Sequence, residues 1–321
     1  MIEYLFFGLV AFSTSFILTN VLVPRLTRFG ITGKDENKEG MPEIPEMGGI
    51  AIVAGFTAGL LLAIFMNSFF GFSFNLVYVL AALITIHSIG FIGMVDDLLS
   101  LPQWLKAILP LFAAIPLIAT QAAGSTIISL PFFGLIDFGV IYILLLIPLG
   151  IAIASNLTNM LAGFNGMETG MGVVMFTAMT IIGITKGSAE ITIPSISMLG
   201  ALLAFLAFNI YPAKIFPGDV GNLTIGVVLA ATVIIGNIES AGAILVIPYV
   251  IDFFIKAVNK FPHTHQQIKN GKLYPKDNKI KGLVHLVMKM FNGISERNIT
   301  LFFIGFEALF GLVVILLYAQ F

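Results

Sequence analysis

Residues 75–97 read NLVYVLAALITIHSIGFIGMVDD, a long apolar run that ends in two adjacent carboxylates. A helix needs about 20 residues to cross the ~30 Å hydrocarbon core of a bilayer, so this run is long enough to span a membrane. Its end is unusual, because Asp96 and Asp97 place two like charges at the membrane boundary. Ionisable groups are costly there and usually have a function. The segment therefore predicts a membrane protein with a polar site at one end of a span.

The same window applied to the whole chain predicts an all-α integral membrane protein with ten transmembrane helices in a single domain, residues 1–321. The predicted spans are residues 2–23, 47–66, 75–95, 103–121, 139–157, 171–185, 193–210, 221–236, 240–257 and 298–320. Charged residues make up only 10% of the chain, whereas a soluble domain carries about 25%. An ordinary soluble protein is thereby excluded. The lack of cysteine also excludes disulfides and thiolate chemistry.

The distribution of basic residues predicts the direction of the spans. When the loops alternate between two sides, 15 of the 16 Lys and Arg residues fall on one side, and Lys186 alone falls on the other. The positive-inside rule makes the first side cytoplasmic and places both termini outside. The long loop 258–297 before the last span is then cytoplasmic. Residues 125–139 lie outside and predict a short β-hairpin, with a loop on the membrane surface as the alternative.

Asp96 and Asp97 form the first of four polar clusters in the predicted cytoplasmic loops, and Lys106 follows Asp97 by nine residues. Adjacent carboxylates repel each other, and their coexistence usually requires a cation or a shared proton. The pair is therefore a candidate for catalysis or metal binding. The alternative is that both residues cap the end of an exposed helix.

Three asparagines, Asn156, Asn159 and Asn165, form the second cluster, among small residues that include Gly163 and Gly166. Amide side chains at a membrane boundary can coordinate Mg²⁺ or hydrogen-bond to the edge of a nucleobase. Asn-Gly pairs also favour turns, so helix capping and turn formation are the alternative interpretation.

The third and fourth clusters lie further along the chain. Residues 216–222 (FPGDVGN) place Asp219 at a predicted helix N-terminus, where carboxylates and phosphates are favoured. The alternative is an ordinary N-cap aspartate. His263 and His265 lie in the basic loop 258–297, and their imidazoles can face a phosphate or a metal, or be solvated surface residues.

All four clusters fall in loops that the charge distribution assigns to one side of the membrane. Helix capping alone does not require carboxylates, amides, imidazoles and Lys106 to gather there. Oxygen ligands for a hard cation, together with positive groups for phosphates, suit a Mg²⁺-bound diphosphate. We therefore expect Mg²⁺ as the cofactor, with Mn²⁺ as an alternative. A net charge of −1 gives no indication of a nucleic-acid partner.

These motifs resemble those of the polyprenyl-phosphate N-acetylhexosamine-1-phosphate transferase family. The resemblance rests on residues 95–97 (VDD), 159–170 (NMLAGFNGMETG), 216–219 (FPGD) and the histidine-containing last loop. Within the family the chain is most similar to the UDP-N-acetylglucosamine–dolichyl-phosphate branch, through residues 44–46 (IPE) and 296–300 (ERNIT). His263 and His265 stand where the eukaryotic branch carries Arg-x-Arg, and Ser100 where it usually has Asn. Both differences fit an archaeal member.

The resemblance implies a Mg²⁺-dependent phosphotransferase. Its donor would be UDP-N-acetylglucosamine, its acceptor dolichyl or another polyprenyl phosphate, and its leaving group UMP. This reaction is the first step of lipid-linked oligosaccharide synthesis for N-glycosylation. The resemblance further implies a location in the cell membrane, in contact with its lipids, with the active site on the cytoplasmic face and a homodimeric assembly.

Roles for individual residues also follow from the resemblance. Asp96, Asp97, Lys106, His263 and His265 are the implied catalytic residues, with the acidic pair handling the lipid phosphate and Lys106 the diphosphate. The implied Mg²⁺ ligands are Asn159 and Asp219. The implied substrate-binding residues are Glu46, Asn156, Gly163, Asn165 and Phe216, of which the last three match the uridine pocket.

Two other functions remain open from the sequence. The first is a bacterial-type enzyme that uses undecaprenyl phosphate for cell-wall or surface polysaccharide. The second is a membrane transporter, which gathers ionisable groups at mid-membrane. His87, Asp252 and Glu307 are the only such groups deep in the predicted spans. We expect His87 to hydrogen-bond within the bundle and Asp252 to line the active-site cleft, whereas the sequence predicts no function for Glu307.

Overall fold

The computed structural model describes residues 2–130, 134–262 and 264–319. These residues form a helical bundle with three small antiparallel β-sheets, each of two strands. The helices are α1 (Ile2–Phe29), α2 (Gly49–Phe70), α3 (Leu76–Leu99), α4 (Gln103–Ala113), α5 (Ile115–Ala119), α6 (Ile147–Met160, preceded by a π-helical turn at Tyr142–Leu146), α7 (Met167–Thr185), α8 (Ala189–Asn209), α9 (Gly218–Ile235), α10 (Glu239–Leu245), α11 (Ile247–Val258), α12 (Leu283–Met290) and α13 (Glu296–Tyr318). The strands are β1 (Thr32–Lys34), β2 (Glu43–Pro45), β3 (Ile127–Leu130), β4 (Gly134–Asp137), β5 (Gln266–Lys269) and β6 (Lys272–Pro275).

Eight helices among the described residues are long and apolar enough to cross a membrane. They are α1, α2, α3, α6 with its π-helical turn, α7, α8, α9 and α13, and they overlap eight of the ten predicted spans. The protein is therefore a multi-pass membrane protein, as the length of its apolar runs predicts.

The other two predicted spans are interrupted helices. Helices α4 and α5 together form a shorter apolar segment, with Pro110 inside α4 and Pro116 in the first turn of α5. Helices α10 and α11 bend by 59° at their break, and Pro248 begins the second helix. Proline lacks an N–H group and collides with the carbonyl four residues earlier, which explains breaks at these places. The count of ten spans stays a prediction.

Strands β3 and β4 pair antiparallel, from Ile127 opposite Asp137 to Leu130 opposite Gly134. They coincide with the predicted hairpin, although its turn, residues 131–133, lies outside the described residues. The other two sheets, β1–β2 and β5–β6, lie in segments that the sequence assigns to the cytoplasmic side.

Helix α9 forms the centre of the bundle, because nearly all its residues are buried and it packs against α2, α3, α6 and α8. Gly93 of α3 permits one of these close contacts. A Cβ atom there would lie 2.6 Å from the Cα of Val220. Small residues allow helix backbones to approach closely in membrane proteins. The contact brings the end of α3, with its acidic pair, to the beginning of α9.

Two ionisable residues of the spans, His87 and Glu307, have different surroundings. The ring of His87 lies 3.1 Å from the hydroxyl of Thr57 and 2.8 Å from the carbonyl oxygen of Leu83, so the predicted hydrogen bond within the bundle is present. Glu307 in α13 is fully buried, and neither carboxylate oxygen has a hydrogen-bond partner among the described residues.

The predicted direction of the spans can be tested by reporter fusions. A reporter placed after Phe321 or within residues 186–192 is expected outside the cell, and one within residues 266–280 in the cytoplasm. The reason is the one-sided distribution of Lys and Arg. Accessibility of the reporters in intact cells gives the measurement. An external signal from residues 266–280 would overturn the predicted topology.

Candidate active site

A cavity of about 450 Å³ opens at the end of the bundle where the predicted cytoplasmic segments meet. Residues after α1, α3, α6, α8 and α11 line it, so distant parts of the sequence converge there. Its volume is within the usual range for small-molecule sites. The cavity brings together six of the predicted site residues, which are Glu46, Lys106, Asn159, Gly163, Phe216 and Asp219.

Lys106 joins two carboxylates at the base of the cavity. Its ammonium nitrogen lies 2.5 Å from an oxygen of Asp96 and 3.4 Å from an oxygen of Asp219. The side chain of Asp96 is only 1% exposed, whereas that of Asp219 is 26% exposed. Asp96 also accepts a hydrogen bond from the backbone N–H of Leu101. Asp96 therefore pairs with Lys106 on its buried side, while Asp219, the more exposed carboxylate, faces the cavity.

Asp97 holds the beginning of α9 in place. Its two carboxylate oxygens accept the backbone N–H groups of Asp219 at 2.7 Å and Val220 at 3.1 Å. These N–H groups belong to the first turn of α9 and have no partner within that helix. The carboxylate can approach because residue 218 is glycine, with φ of +66° and no Cβ, where a Cβ would lie 2.6 Å from Asp97. A residue of α3 thus caps α9, and the side chain of Asp219 remains available to the cavity.

Asn159 and Asn222 supply amide oxygens to the cavity that Asp219 also lines. The Nδ2 group of Asn222 donates to Oδ1 of Asn159 at 3.2 Å. The Oδ1 atom of Asn222 is buried and has no hydrogen-bond partner among the described residues. Those residues contain no group of three or more His, Asp or Glu side chains that could hold a metal ion. A cation here would depend on a mixed set of one carboxylate and amide oxygens, which suits Mg²⁺ when substrate phosphates and water complete its coordination.

Backbone hydrogen bonds fix Phe216 beside Glu46 at one side of the cavity. The N–H of Phe216 donates to the carbonyl of Pro45, and the N–H of Gly48 donates to the carbonyl of Phe216, both at 2.8 Å. Phe216 is half-buried and lines the cavity. Burial raises the pKa of the Glu46 carboxyl above its usual value. The arrangement presents an aromatic side chain next to a carboxyl group that can accept or donate a hydrogen bond.

Two backbone hydrogen bonds of Gly163 fix the loop between α6 and α7. The N–H of Gly163 donates to the buried carboxylate of Glu168, and the carbonyl of Gly163 accepts from Nδ2 of Asn37 at 2.6 Å. Gly163 has φ of +113°, a conformation that favours glycine. Asn37 in turn accepts from the amide of Gln266. The last loop, the first loop and residue 163 are therefore connected.

Asn165 lies beside this connection, but it does not line the cavity. Its Oδ1 accepts from Lys38 at 2.6 Å and from the N–H of Ala213 at 2.7 Å, and its Nδ2 donates to Asp35 at 3.1 Å. These contacts occupy the amide, so in this arrangement Asn165 joins three loops. Its role in uridine binding stays a prediction.

Asn156 and His265 lie apart from the cavity wall. The Nδ2 group of Asn156 donates to the carbonyl of Ala152 at 2.8 Å and to that of Lys106 at 3.4 Å, which ties α6 to α4. His265 is exposed, with Nδ1 3.7 Å from a carboxylate oxygen of Glu36. His263 lies outside the described residues.

Asp252 lines the cavity, as expected from the sequence, and it forms an ion pair of 2.8 Å with Lys256. Lys256 and His285 also line the cavity and were not among the predicted site residues. Asp252 and Lys256 are four residues apart on α11, a spacing that predicts a pair on one helical face. No sequence motif identifies His285 as a site residue, because it simply follows the lysine-rich part of the loop between α11 and α13.

Comparison with known proteins identifies the family of the chain. The sequence profile of glycosyl transferase family 4 matches residues 79–237. A protein of Saccharolobus solfataricus, named as a putative UDP-N-acetylglucosamine–dolichyl-phosphate N-acetylglucosaminephosphotransferase, is 38% identical over 96% of this chain and 95% of its own length. The chain belongs to glycosyl transferase family 4. The resemblance predicted from the motifs is thereby confirmed.

Two further relatives in glycosyl transferase family 4 come from different branches. A protein of Sulfolobus acidocaldarius with the same putative name is 37% identical over 96% of this chain and 94% of its own length. The phospho-N-acetylmuramoyl-pentapeptide-transferase of Halalkalibacterium halodurans is 32% identical over 72% of this chain and 74% of its own length. Similarity to the archaeal proteins is therefore both higher and more extensive.

Proposed function

We propose that the protein transfers N-acetylglucosamine-1-phosphate from UDP-N-acetylglucosamine to dolichyl phosphate or a related polyprenyl phosphate, and that UMP leaves. The observation that carries this proposal is the wall of the cavity, where Lys106 lies between Asp96 and Asp219 and which Asn159 also lines. The names of the archaeal relatives, which match almost the full chain, support this donor and acceptor. The reaction would take place at the cytoplasmic side of the cell membrane.

The cavity offers suitable groups for the uracil and the diphosphate of a UDP-sugar. The ring of Phe216 can stack on the uracil, since aromatic side chains bind bases through their π-faces. The ammonium group of Lys106 can bind the diphosphate. The side chains of Lys106 and Asp96 are 22% and 1% exposed, and burial strengthens their electrostatic interaction.

The chemistry would be a single displacement. An oxygen of the lipid phosphate attacks the sugar-proximal phosphorus, and the bond from this phosphorus to the bridging oxygen of UMP breaks. The second pKa of a phosphate monoester is about 6, so the nucleophile is largely ionised at neutral pH and needs little help from a base. Lys106 would stabilise the negative charge on the diphosphate, and Asp96 would hold Lys106 in position.

Mg²⁺, the cofactor expected for this reaction, would be held by Asp219 and Asn159, with Asn222 as a further oxygen donor. When bound, it would neutralise charge on the diphosphate oxygens. Asp97 contributes indirectly, because it fixes the first turn of α9 and hence the position of Asp219. In this proposal the acidic pair positions other groups, and neither carboxylate serves as the nucleophile.

The bacterial-type alternative differs in both substrates. UMP release by purified protein separates the two functions when measured with UDP-N-acetylglucosamine and dolichyl phosphate, then with UDP-N-acetylmuramoyl-pentapeptide and undecaprenyl phosphate, each with and without Mg²⁺. We expect Mg²⁺-dependent release with the first pair only. Release with the second pair alone would refute the proposal. Oligomeric state in detergent would test the predicted homodimer.

Phe216→Ala is expected to weaken donor binding about tenfold to a hundredfold, because a base–aromatic stack contributes about 1–3 kcal/mol. The loss should appear mainly in KM for the UDP-sugar, because the uracil lies far from the reacting phosphorus and is bound equally in the ground and transition states. Steady-state UMP release at varied donor concentration gives the measurement. Phe261→Ala, at an exposed ring outside the cavity, serves as the control. An unchanged KM would remove Phe216 from the uridine site.

A further inference from the structure

His285 is a buried polar side chain in the cavity wall, and the proposed reaction assigns no role to it. It belongs to α12, in the loop between α11 and α13, and its side chain is almost completely buried. Its Nδ1 atom accepts from the backbone N–H of Lys281 at 3.4 Å. The other ring nitrogen, Nε2, has no hydrogen-bond partner among residues 2–130, 134–262 and 264–319. A buried polar group without a partner is costly, so a ligand that satisfied it would gain affinity.

The second ring nitrogen can bind a ligand in either tautomer. Nδ1 accepts from Lys281, whereas a second backbone contact, with Lys279, favours the protonated ring. A neutral imidazole carries one proton, and its position is an assignment. Burial lowers the pKa of His285 below its usual value, so the ring is neutral at neutral pH. Nε2 is thus an N–H donor or an acceptor according to the tautomer, and it has no partner among the described residues.

The surroundings of His285 carry little net charge. Lys256 and Asp252 neutralise each other at 2.8 Å. The second oxygen of Asp252 accepts from the N–H of Leu283 at 2.7 Å, and Lys256 also donates to the carbonyl of Met160. These contacts fix α11 to the beginning of α12. Since Met160 follows Asn159 directly, this part of the wall borders the proposed metal ligands.

A neutral polar wall suits one part of the donor better than the others. The diphosphate needs positive charge, which Lys106 supplies, and the uracil needs an aromatic surface, which Phe216 supplies. The sugar is neutral and carries hydroxyl and acetamido groups that both donate and accept hydrogen bonds. We propose that His285, together with the neutral Asp252–Lys256 pair, forms the sugar subsite and hydrogen-bonds through Nε2 to a hydroxyl or acetamido group of the donor's hexosamine. This inference rests on the proposed function and extends it to sugar recognition.

Two ligands that differ only in the sugar test the subsite. Dissociation constants are measured by calorimetry for UDP-N-acetylglucosamine and for UDP, without a lipid acceptor, so that no turnover is needed. His285→Phe keeps a ring of similar size but removes the polar nitrogen. It is expected to weaken binding of UDP-N-acetylglucosamine about three- to tenfold, the scale of one hydrogen bond, and to leave UDP binding unchanged. His285→Gln, whose amide can place an N–H or an oxygen near the position of Nε2, is expected to restore most of the affinity for the sugar nucleotide.

A matched control is His87→Phe, since His87 is an exposed residue of α3 that does not line the site cavity. Both dissociation constants should match those of the wild type. Equal weakening of both ligands by His285→Phe, or no weakening of either, would overturn the sugar subsite. Failure of the wild-type protein to bind either ligand would instead refute the proposed function. Thermal unfolding of each variant shows whether a loss of binding comes from misfolding, and His285→Gln then provides the test with the smaller structural change.

Discussion

Asp219→Asn is expected to lower the rate of UMP release by about 10²–10³-fold while the protein remains folded. Asparagine keeps the shape and one oxygen of the side chain but removes the charge that would bind the cation. The substitution should not disturb the helix, because Asp97 and not Asp219 accepts the first N–H groups of α9. Activity assays, detergent-solubilised melting curves and a Mg²⁺ titration give the measurements. A raised Mg²⁺ requirement should accompany the loss.

Asp277→Asn is the matched control for this substitution. Asp277 lies in the last loop, where its carboxylate is exposed and pairs with Lys281 at 2.6 Å. Exposed ion pairs contribute little, so activity and stability should stay close to those of the wild type. Turnover of Asp219→Asn near the wild-type rate at low Mg²⁺ would contradict its assignment as a metal ligand. In that case its carboxylate would serve only to pair with Lys106.

Lys106→Gln is expected to reduce both activity and stability. Activity should fall by about 10²-fold or more, because the diphosphate loses its cationic partner. Stability should fall by about 3–5 kcal/mol, because the buried carboxylate of Asp96 would lose its counter-ion. UMP release and chemical or thermal unfolding in detergent measure the two effects. Lys281→Gln, which breaks an exposed pair, is expected to change neither.

The double substitution Asp96→Asn with Lys106→Gln separates the two effects. Removal of both charges leaves no unpaired ion, so most of the stability should return. Activity should remain low, because the diphosphate still lacks its cation. Recovery of activity together with stability would mean that Lys106 serves only to neutralise Asp96.

The sequence alone predicted the membrane class and the location of the polar clusters. Span length and hydrophobic content are properties of short segments, and a bilayer imposes them on each helix separately. The family motifs are also local, so Lys106, Asn159, Phe216 and Asp219 could be proposed before any contact was known. The proline-interrupted spans, at 103–121 and 240–257, differ from regular single helices, and span 139–157 contains a π-helical turn.

Only the tertiary structure decided which polar atoms are used within the protein and which face the cavity. Asp96 and Asp97 are neighbours in the sequence, yet one pairs with Lys106 and the other caps a helix whose first residues lie more than a hundred positions away. Asn165 looked available for a nucleobase, but partners 48, 127 and 130 residues distant occupy its amide. His285 carried no signal in the sequence, and its unpaired Nε2 became apparent only in the folded cavity. The physical reason is that hydrophobicity is read from nearby residues, whereas the hydrogen bonding of a buried group depends on every segment that packs around it.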